Sequence, residues 1–216
     1  MTVIPFKKRP EVPQNQPLLN IPPLTLAALA AMLGVHIIFA LLPPDLASPL
    51  FYSLAFVPER LLTDPLAPTT LLSLVSHMFL HGSWLHMGMN GMMLLAFGAA
   101  SERIYGPRRT AILFVLSGLA GAAAHMAIDP MSKNPMIGAS GALSGLFAAV
   151  ILNLMATGQM PAGRFGSWGI AALWIGISVV TALLGNIAGI GIVAWAAHAG
   201  GFLAGIFIPR TRLFKI

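Results

Sequence analysis

The chain has 216 residues, of which 57% are hydrophobic and only 8% charged. So few polar residues cannot cover a water-soluble globule, and this composition indicates an integral membrane protein. The absence of cysteine excludes disulfides, thiolate catalysis and cysteine-ligated zinc.

The chain begins with a basic, proline-rich segment that has no helical periodicity. Residues 1–22 are therefore expected to form a disordered tail. The first apolar run, residues 24–42, is long enough to span a bilayer and ends at Pro43-Pro44. Several prolines then predict a loop over residues 45–70.

Residues 71–101 form an uncharged stretch that is too long for one straight crossing of the bilayer. His81-Gly82-Ser83 is expected to break it into a short re-entrant or interfacial helix and a second span. The predicted helical segments from here on are 71–79 (interfacial), 84–104, 110–128, 138–157, 168–184 and 190–208. We therefore predict an all-α, polytopic membrane protein with six spans. Its membrane domain covers residues 23–209, and a short basic tail covers residues 210–216.

The positions of Lys and Arg predict the orientation of these spans. Ten of the twelve lie in the N-terminal tail, the loops after spans 2 and 4, and the C-terminus, whereas Arg60 and Lys133 lie on the other side. By the positive-inside rule, both termini are cytoplasmic and the even-numbered helices run inward from the outer face. The net charge of +6 is then explained by topology and contact with anionic lipids, so no nucleic-acid partner is expected.

Four polar residues lie near the outer ends of these inward-running helices. His86 and Asn90 are near the start of span 2, Ser140 is near the start of span 4, and His198 is in the outer half of span 6. Polar groups in lipid are costly unless they face a partner or water. The pattern therefore predicts one hydrated cavity that opens to the outer face.

These residue types can carry out serine hydrolysis, which needs a base beside a hydroxyl and donors aimed at the developing oxyanion. Ser140 and His198 can supply the hydroxyl and the base. The backbone N–H of Ser140, at a helix N-terminus, can donate to the oxyanion together with His86 and Asn90, which are four residues apart on one helix face.

Two pairs of glycines predict contact between spans 4 and 6. Gly141 and Gly145 are four residues apart on span 4, and Gly201 and Gly205 are four apart on span 6. Small-residue strips of this kind allow helix backbones to approach closely.

Together these motifs resemble the rhomboid intramembrane serine proteases over about residues 24–209. The matching features are a Gly-x-Ser-x motif at the head of the fourth helix, a histidine followed by glycines in the sixth, and a His-x-x-x-Asn motif in the second. Here they are Gly138-Ala139-Ser140-Gly141, His198-Ala199-Gly200-Gly201 with Gly205, and His86-Met87-Gly88-Met89-Asn90. The run from His77 to His86, and Glu102 with Gly106, also resemble the family.

The resemblance implies that Ser140 is the nucleophile, His198 the general base, and His86 and Asn90 the oxyanion donors. It implies an endopeptidase that cleaves single-pass transmembrane proteins in or near their membrane segment, close to the outer face. No cofactor is implied. Span 5, with the loop that follows it, is the expected gate for substrate.

The sequence departs from the family pattern at two places. Some members carry a tyrosine four residues after the nucleophile, where this chain has Ser144. The Trp-Arg pair seen in many first loops is missing, and Pro58-Glu59-Arg60 is the nearest piece.

Two other classes of function fit parts of the pattern. A catalytically inactive relative that binds membrane clients would share the fold, although such proteins usually lack the serine or the histidine. A small transporter could use intramembrane His and Asn, but the chain shows no inverted repeat. The spacing of His77, His81 and His86 superficially suggests a metal site, which we do not expect because no carboxylate or cysteine completes it. Short loops and a bare six-span core favour a bacterial plasma membrane, and the oligomeric state is left open.

Overall fold

The computed structural model describes residues 20–160, 166–187 and 195–214, and these ranges are almost entirely helical. The α-helices, in chain order, are α1 (Pro23–Leu41), α2 (Pro44–Leu54), α3 (Pro58–Thr63), α4 (Pro68–Ser76), α5 (Trp84–Met93), α6 (Ala99–Tyr105), α7 (Pro107–Ile128), α8 (Ser140–Ala156), α9 (Gly166–Ile187) and α10 (Trp195–Phe207). Within the described ranges the only extended pairing is an isolated bridge between Phe56 and Met136. The all-α class is therefore confirmed.

The segment predicted as a loop over residues 45–70 is instead largely helical. The prediction was wrong because its prolines were taken as helix breakers. Pro44, Pro58 and Pro68 each occupy the first position of a helix, where the missing N–H costs nothing and the fixed φ suits the helix.

Arg60 holds this first-loop region together. Its guanidinium donates hydrogen bonds to the backbone carbonyls of Tyr52, Ser53 and Ala55, at distances of 2.7–3.2 Å. Arg60 belongs to Pro58-Glu59-Arg60, the part of this chain that comes nearest to matching the Trp-Arg pair of the family pattern. The arginine thus ties the end of α2 to α3 through backbone carbonyls, and its guanidinium also lies 5.5 Å from the centre of the Tyr52 ring.

The predicted break at residues 81–83 separates a short helical turn from a longer segment. A 3₁₀ turn (His77–Phe79) follows α4, and Ser83 then caps α5 by accepting a hydrogen bond from the His86 N–H at 3.2 Å. A π-helical turn (Leu94–Gly98) joins α5 directly to α6. The helical segment over residues 84–105 therefore carries both His86 and Asn90.

The prediction of six membrane spans is met only in part. Two helices in the described ranges are long and apolar enough to cross a bilayer, Pro23–Leu41 and Pro107–Ile128. The helix Ser140–Ala156 is apolar but shorter, and the segment over residues 84–105 is interrupted by its π-helical turn. The first residues of the predicted span 190–208 lie outside the described residues.

The centre of the molecule is formed by α7, α8 and α10, which pack against one another. Helix α1 is attached to α6 by a buried carboxylate. Glu102 accepts hydrogen bonds from the backbone N–H groups of Leu24 and Thr25 and from the Thr25 hydroxyl, at 2.8–3.0 Å. Because α1 begins at a proline and has no side-chain cap of its own, Glu102 satisfies its exposed N–H groups.

The chain continues beyond α10 in two 3₁₀ turns, Ile208–Arg210 and Arg212–Phe214. Phe214 is buried, and its ring lies 5.6 Å from that of Tyr105. Part of the segment predicted as a basic tail therefore packs on the fold. The predicted N-terminal tail lies almost wholly outside the described residues, and the division into tails and membrane domain stays a prediction.

Candidate active site

Ser140 and His198 are in direct hydrogen-bond contact. The His198 Nε2 atom lies 2.8 Å from the Ser140 Oγ atom. Ser140 is the first residue of α8, and His198 lies in the first turn of α10. Both side chains are only partly buried. A hydroxyl and an imidazole at this distance can exchange a proton.

Glycine contacts between α8 and α10 account for this proximity. A Cβ atom added to Gly201 would overlap the Gly141 carbonyl, and one added to Gly205 would overlap the Gly145 carbonyl. A Cβ atom on Gly145 would in turn lie 2.9 Å from the Gly201 carbonyl oxygen. The two backbones thus touch along both predicted strips, and the contact fixes His198 opposite Ser140.

His86 and Asn90 face the backbone that leads into Ser140. A Cβ atom on Gly138 would lie 2.7 Å from the His86 Nε2 atom and 3.7 Å from the Asn90 Nδ2 atom. Asn90 is buried, and its amide donates to the His86 carbonyl at 3.1 Å. Gly138 itself has φ +104°, which side-chain-bearing residues rarely adopt. The two predicted oxyanion donors therefore lie beside the backbone that leads into the predicted nucleophile.

Ser144 occupies the position at which some relatives have tyrosine, and its side chain is hydrogen-bonded to α9. Its hydroxyl donates to the Ser140 carbonyl at 2.7 Å and accepts from the Trp174 Nε1–H at 3.1 Å. The Trp174 ring also packs on Phe147, with centroids 4.6 Å apart. Ser144 thus joins the helix of the nucleophile to α9.

The second ring nitrogen of His198 contacts a residue that the sequence did not single out. Ser178 on α9 is 4% exposed, and its Oγ atom lies 2.9 Å from the His198 Nδ1 atom. The same hydroxyl donates to the Trp174 carbonyl at 2.8 Å. The only sign of Ser178 in the sequence is that it is a serine within an apolar, charge-free helix. No motif links Ser178 to His198.

A group of aromatic and histidine rings lies beside His86. The ring centroid of His81 lies 5.1 Å from that of His86 and 6.4 Å from that of His36, and Trp84 packs edge-on to His36. His77 donates from Nδ1 to the Ser73 carbonyl at 2.8 Å. Among the described residues, no three His, Asp or Glu side chains are placed to hold a metal ion.

Comparison with known proteins covers about two thirds of the chain. A family model described as the rhomboid domain matches residues 68–213. RHOMBOID-like protein 5 of Arabidopsis thaliana is 31% identical over 142 residues, which cover 66% of this chain and 44% of that protein. Rhomboid protease GluP of Bacillus subtilis is 28% identical over 147 residues, covering 65% of this chain and 27% of GluP.

The relatives include both a protein named as a protease and one named as inactive. Inactive rhomboid protein 1 of Drosophila melanogaster is 33% identical over 88 residues, covering 41% of this chain and 6% of that protein. The chain spans less than half the length of these curated relatives. From the family model and these similarities, the chain belongs to the rhomboid family of integral membrane proteins.

Proposed function

We propose that this protein is an intramembrane serine endopeptidase that cleaves single-pass transmembrane proteins close to the outer face of the membrane. The observation that supports this most is the 2.8 Å contact between His198 Nε2 and Ser140 Oγ. Membership of a family that includes serine proteases adds to it. No cofactor is required by this chemistry.

The proposed reaction begins when the Ser140 hydroxyl attacks the carbonyl carbon of the scissile peptide bond. His198 Nε2 takes the hydroxyl proton as the bond forms and then delivers it to the departing amine. Water then attacks the carbonyl carbon of the acyl-enzyme while His198 takes one of its protons. His198 returns that proton to Ser140 Oγ as the ester bond breaks and the carboxylic acid product leaves. No Asp or Glu side chain contacts His198 among the described residues, so the base works within a Ser-His dyad.

The oxyanion of the tetrahedral intermediate would be stabilised by donors next to Ser140. His86 and Asn90 are suited to this role because both lie against Gly138, two residues before the nucleophile. The backbone N–H of Ser140 at the start of α8 is a further donor. Donors placed on the rigid α5 and α8 need little reorganisation as negative charge develops.

We further propose that six spans carry this site, with both termini in the cytoplasm, as the distribution of Lys and Arg predicts. Water then enters from the outer face, and substrate enters laterally from lipid. Helix α9 is the proposed gate, although part of the loop after it, residues 188–194, lies outside the described residues. A bacterial plasma membrane stays a prediction from the short loops, since the relatives include plant and mitochondrial proteins.

A fluorophosphonate probe, together with a single-pass transmembrane substrate, tests this proposal on the full chain in detergent micelles. We expect the probe to label one serine and Ser140→Ala to abolish both labelling and cleavage. The substitution removes one oxygen, so thermal stability should change little.

Ser101→Ala is the matched control. Ser101 is a buried serine whose hydroxyl bonds Thr110 rather than any group near His198. This variant should keep labelling and cleavage. Undiminished labelling of Ser140→Ala would contradict the assignment of the nucleophile, and an unlabelled, inactive parent chain would contradict the proposed function.

A further inference from the structure

We infer that Ser178 is a positioning residue that holds His198 in the tautomer able to accept a proton from Ser140. The inference rests on the proposed function, because it concerns the base of that reaction. It assigns a role to a residue of α9 that belongs to none of the motifs above.

The chain of hydrogen bonds sets the direction of each donor. The Trp174 carbonyl oxygen, 2.8 Å from Ser178 Oγ, can only accept. The Ser178 hydrogen is therefore directed to Trp174, and the lone pairs of its oxygen are available to His198 Nδ1 at 2.9 Å. In this arrangement Nδ1 carries the hydrogen of the neutral imidazole.

The consequence lies at the other ring nitrogen. A neutral imidazole with hydrogen on Nδ1 has an unprotonated Nε2, which can accept the Ser140 hydroxyl proton across 2.8 Å. The opposite tautomer would place a hydrogen on Nε2 and leave no lone pair on that nitrogen to accept the Ser140 proton. Serine proteases of other folds use an acidic residue to fix the same tautomer, whereas here a neutral hydroxyl occupies that place.

The position of Ser178 suits this role. It is buried, so water does not compete freely for its oxygen, and it lies four residues after Trp174, which is bonded to Ser144 on α8. The helix that supplies the acceptor to His198 is thus also bonded to the helix that carries the nucleophile. The Ser144 hydroxyl, at the position of the missing tyrosine, is hydrogen-bonded to Ser140 and Trp174, and it is Ser178 that supports the imidazole.

The tautomer can be measured without any substrate. The full chain, labelled with ¹⁵N-histidine in detergent micelles, gives ring-nitrogen resonances that distinguish a hydrogen on Nδ1 from one on Nε2, and His198→Gln assigns the His198 signals. We expect Nδ1–H in the parent chain and a shift of population toward Nε2–H in Ser178→Ala. A parent chain with the hydrogen on Nε2 would overturn the inference, whatever its activity.

Kinetics provide the second measurement. The loss of one neutral hydrogen bond corresponds to about a two- to tenfold change in rate, so Ser178→Ala should lower kcat by about that factor and leave KM unchanged. Ser178→Thr, which keeps the hydroxyl, should restore both kcat and the tautomer, and Ser101→Ala should match the parent. An unchanged kcat in Ser178→Ala, with the parent active, would overturn the inference and leave the proposed function standing. An inactive parent with the expected tautomer would instead overturn only the proposed function.

Discussion

Two parts of the molecule hold their helices together in different ways. Helices α7, α8 and α10 touch through glycines, and at the closest approaches backbone lies on backbone, as for Gly201 against Gly141 and Gly121 against Ala197. Helix α9 is attached through side chains, by the Trp174 to Ser144 and Ser178 to His198 hydrogen bonds and by ring packing on Phe147. The first kind of contact cannot yield without a shift of backbone, whereas the second can be broken by rotating a few side chains.

This difference separates two requirements of the proposed reaction. The distance between nucleophile and base must stay constant, and it is set by the glycine contacts of α8 and α10. A transmembrane substrate must reach the same two residues from the lipid, and α9 is attached by bonds weak enough to be exchanged. Ser140 and His198 lie on helices joined by backbone contacts, whereas the proposed gate, α9, is joined by side-chain contacts. The two kinds of contact thus meet the two requirements.

The largest effect should come from Gly201→Ala. Its new Cβ atom would overlap the Gly141 carbonyl, and because both sides are backbone the helices must separate. We expect a loss of about 1–3 kcal/mol of stability or more, seen as a lower Tm in detergent, together with loss of fluorophosphonate labelling.

Gly176→Ala on α9 is the matched change in the other region. No described atom lies within 4 Å of the position of its Cβ, and alanine is favoured over glycine in a helix by about 1 kcal/mol. The Tm should stay level or rise. Equal losses in Gly201→Ala and Gly176→Ala would mean that the two regions do not differ as described.

A smaller effect is expected from Trp174→Phe. Phenylalanine keeps a ring against Phe147 but lacks the Nε1–H that Ser144 accepts. Loss of one neutral hydrogen bond costs about 0.5–1.5 kcal/mol, so the amides of α9 should exchange with deuterium faster by about two- to tenfold. Amides of α8 and α10 should exchange at the parent rate, and acceleration in all three helices would show that α9 is not a separate unit.

The smallest effect should come from Ser117→Ala on α7. The Ser117 hydroxyl is fully buried beside Gly145 and has no hydrogen-bond partner among the described residues. Removing an unsatisfied buried hydroxyl should leave the Tm unchanged or raise it slightly. A clear fall in Tm would show that this hydroxyl has a partner in the membrane, and that α7 is not held by shape alone.

The sequence was most informative where residue type and helical spacing act together. Gly141 with Gly145 and Gly201 with Gly205 predicted which helix faces meet, and the structure places these faces in contact. The approach of Ser140 and His198 follows from that meeting. Each glycine pair lies within one helix, and the helical period of 3.6 residues is enough to place its two members on one face.

Other features depend on how one element is rotated against another, and the sequence did not reveal them. Helix α9 has no charged residue to mark its outward face, so nothing indicated that Ser178 would meet His198 or that Trp174 would meet Ser144. The prediction of a loop over residues 45–70 was wrong for a different reason. Proline both breaks helices and begins them, and only the backbone shows that Pro44, Pro58 and Pro68 begin them.

The attachment of α9 to both α8 and α10 makes the release of α9 and the binding of a ligand beside His198 thermodynamically reciprocal. Breaking its two hydroxyl-mediated bonds costs about 1–3 kcal/mol, a preference of roughly 5- to 150-fold for the attached state. Suppose that a ligand binds more tightly while Ser178 holds His198, so that release of α9 weakens its binding by some factor. Binding of that ligand then disfavours the release of α9 by the same factor. On the proposed function, a small molecule that binds Ser140 more tightly while α9 is attached would therefore also disfavour the release of α9 that admits substrate.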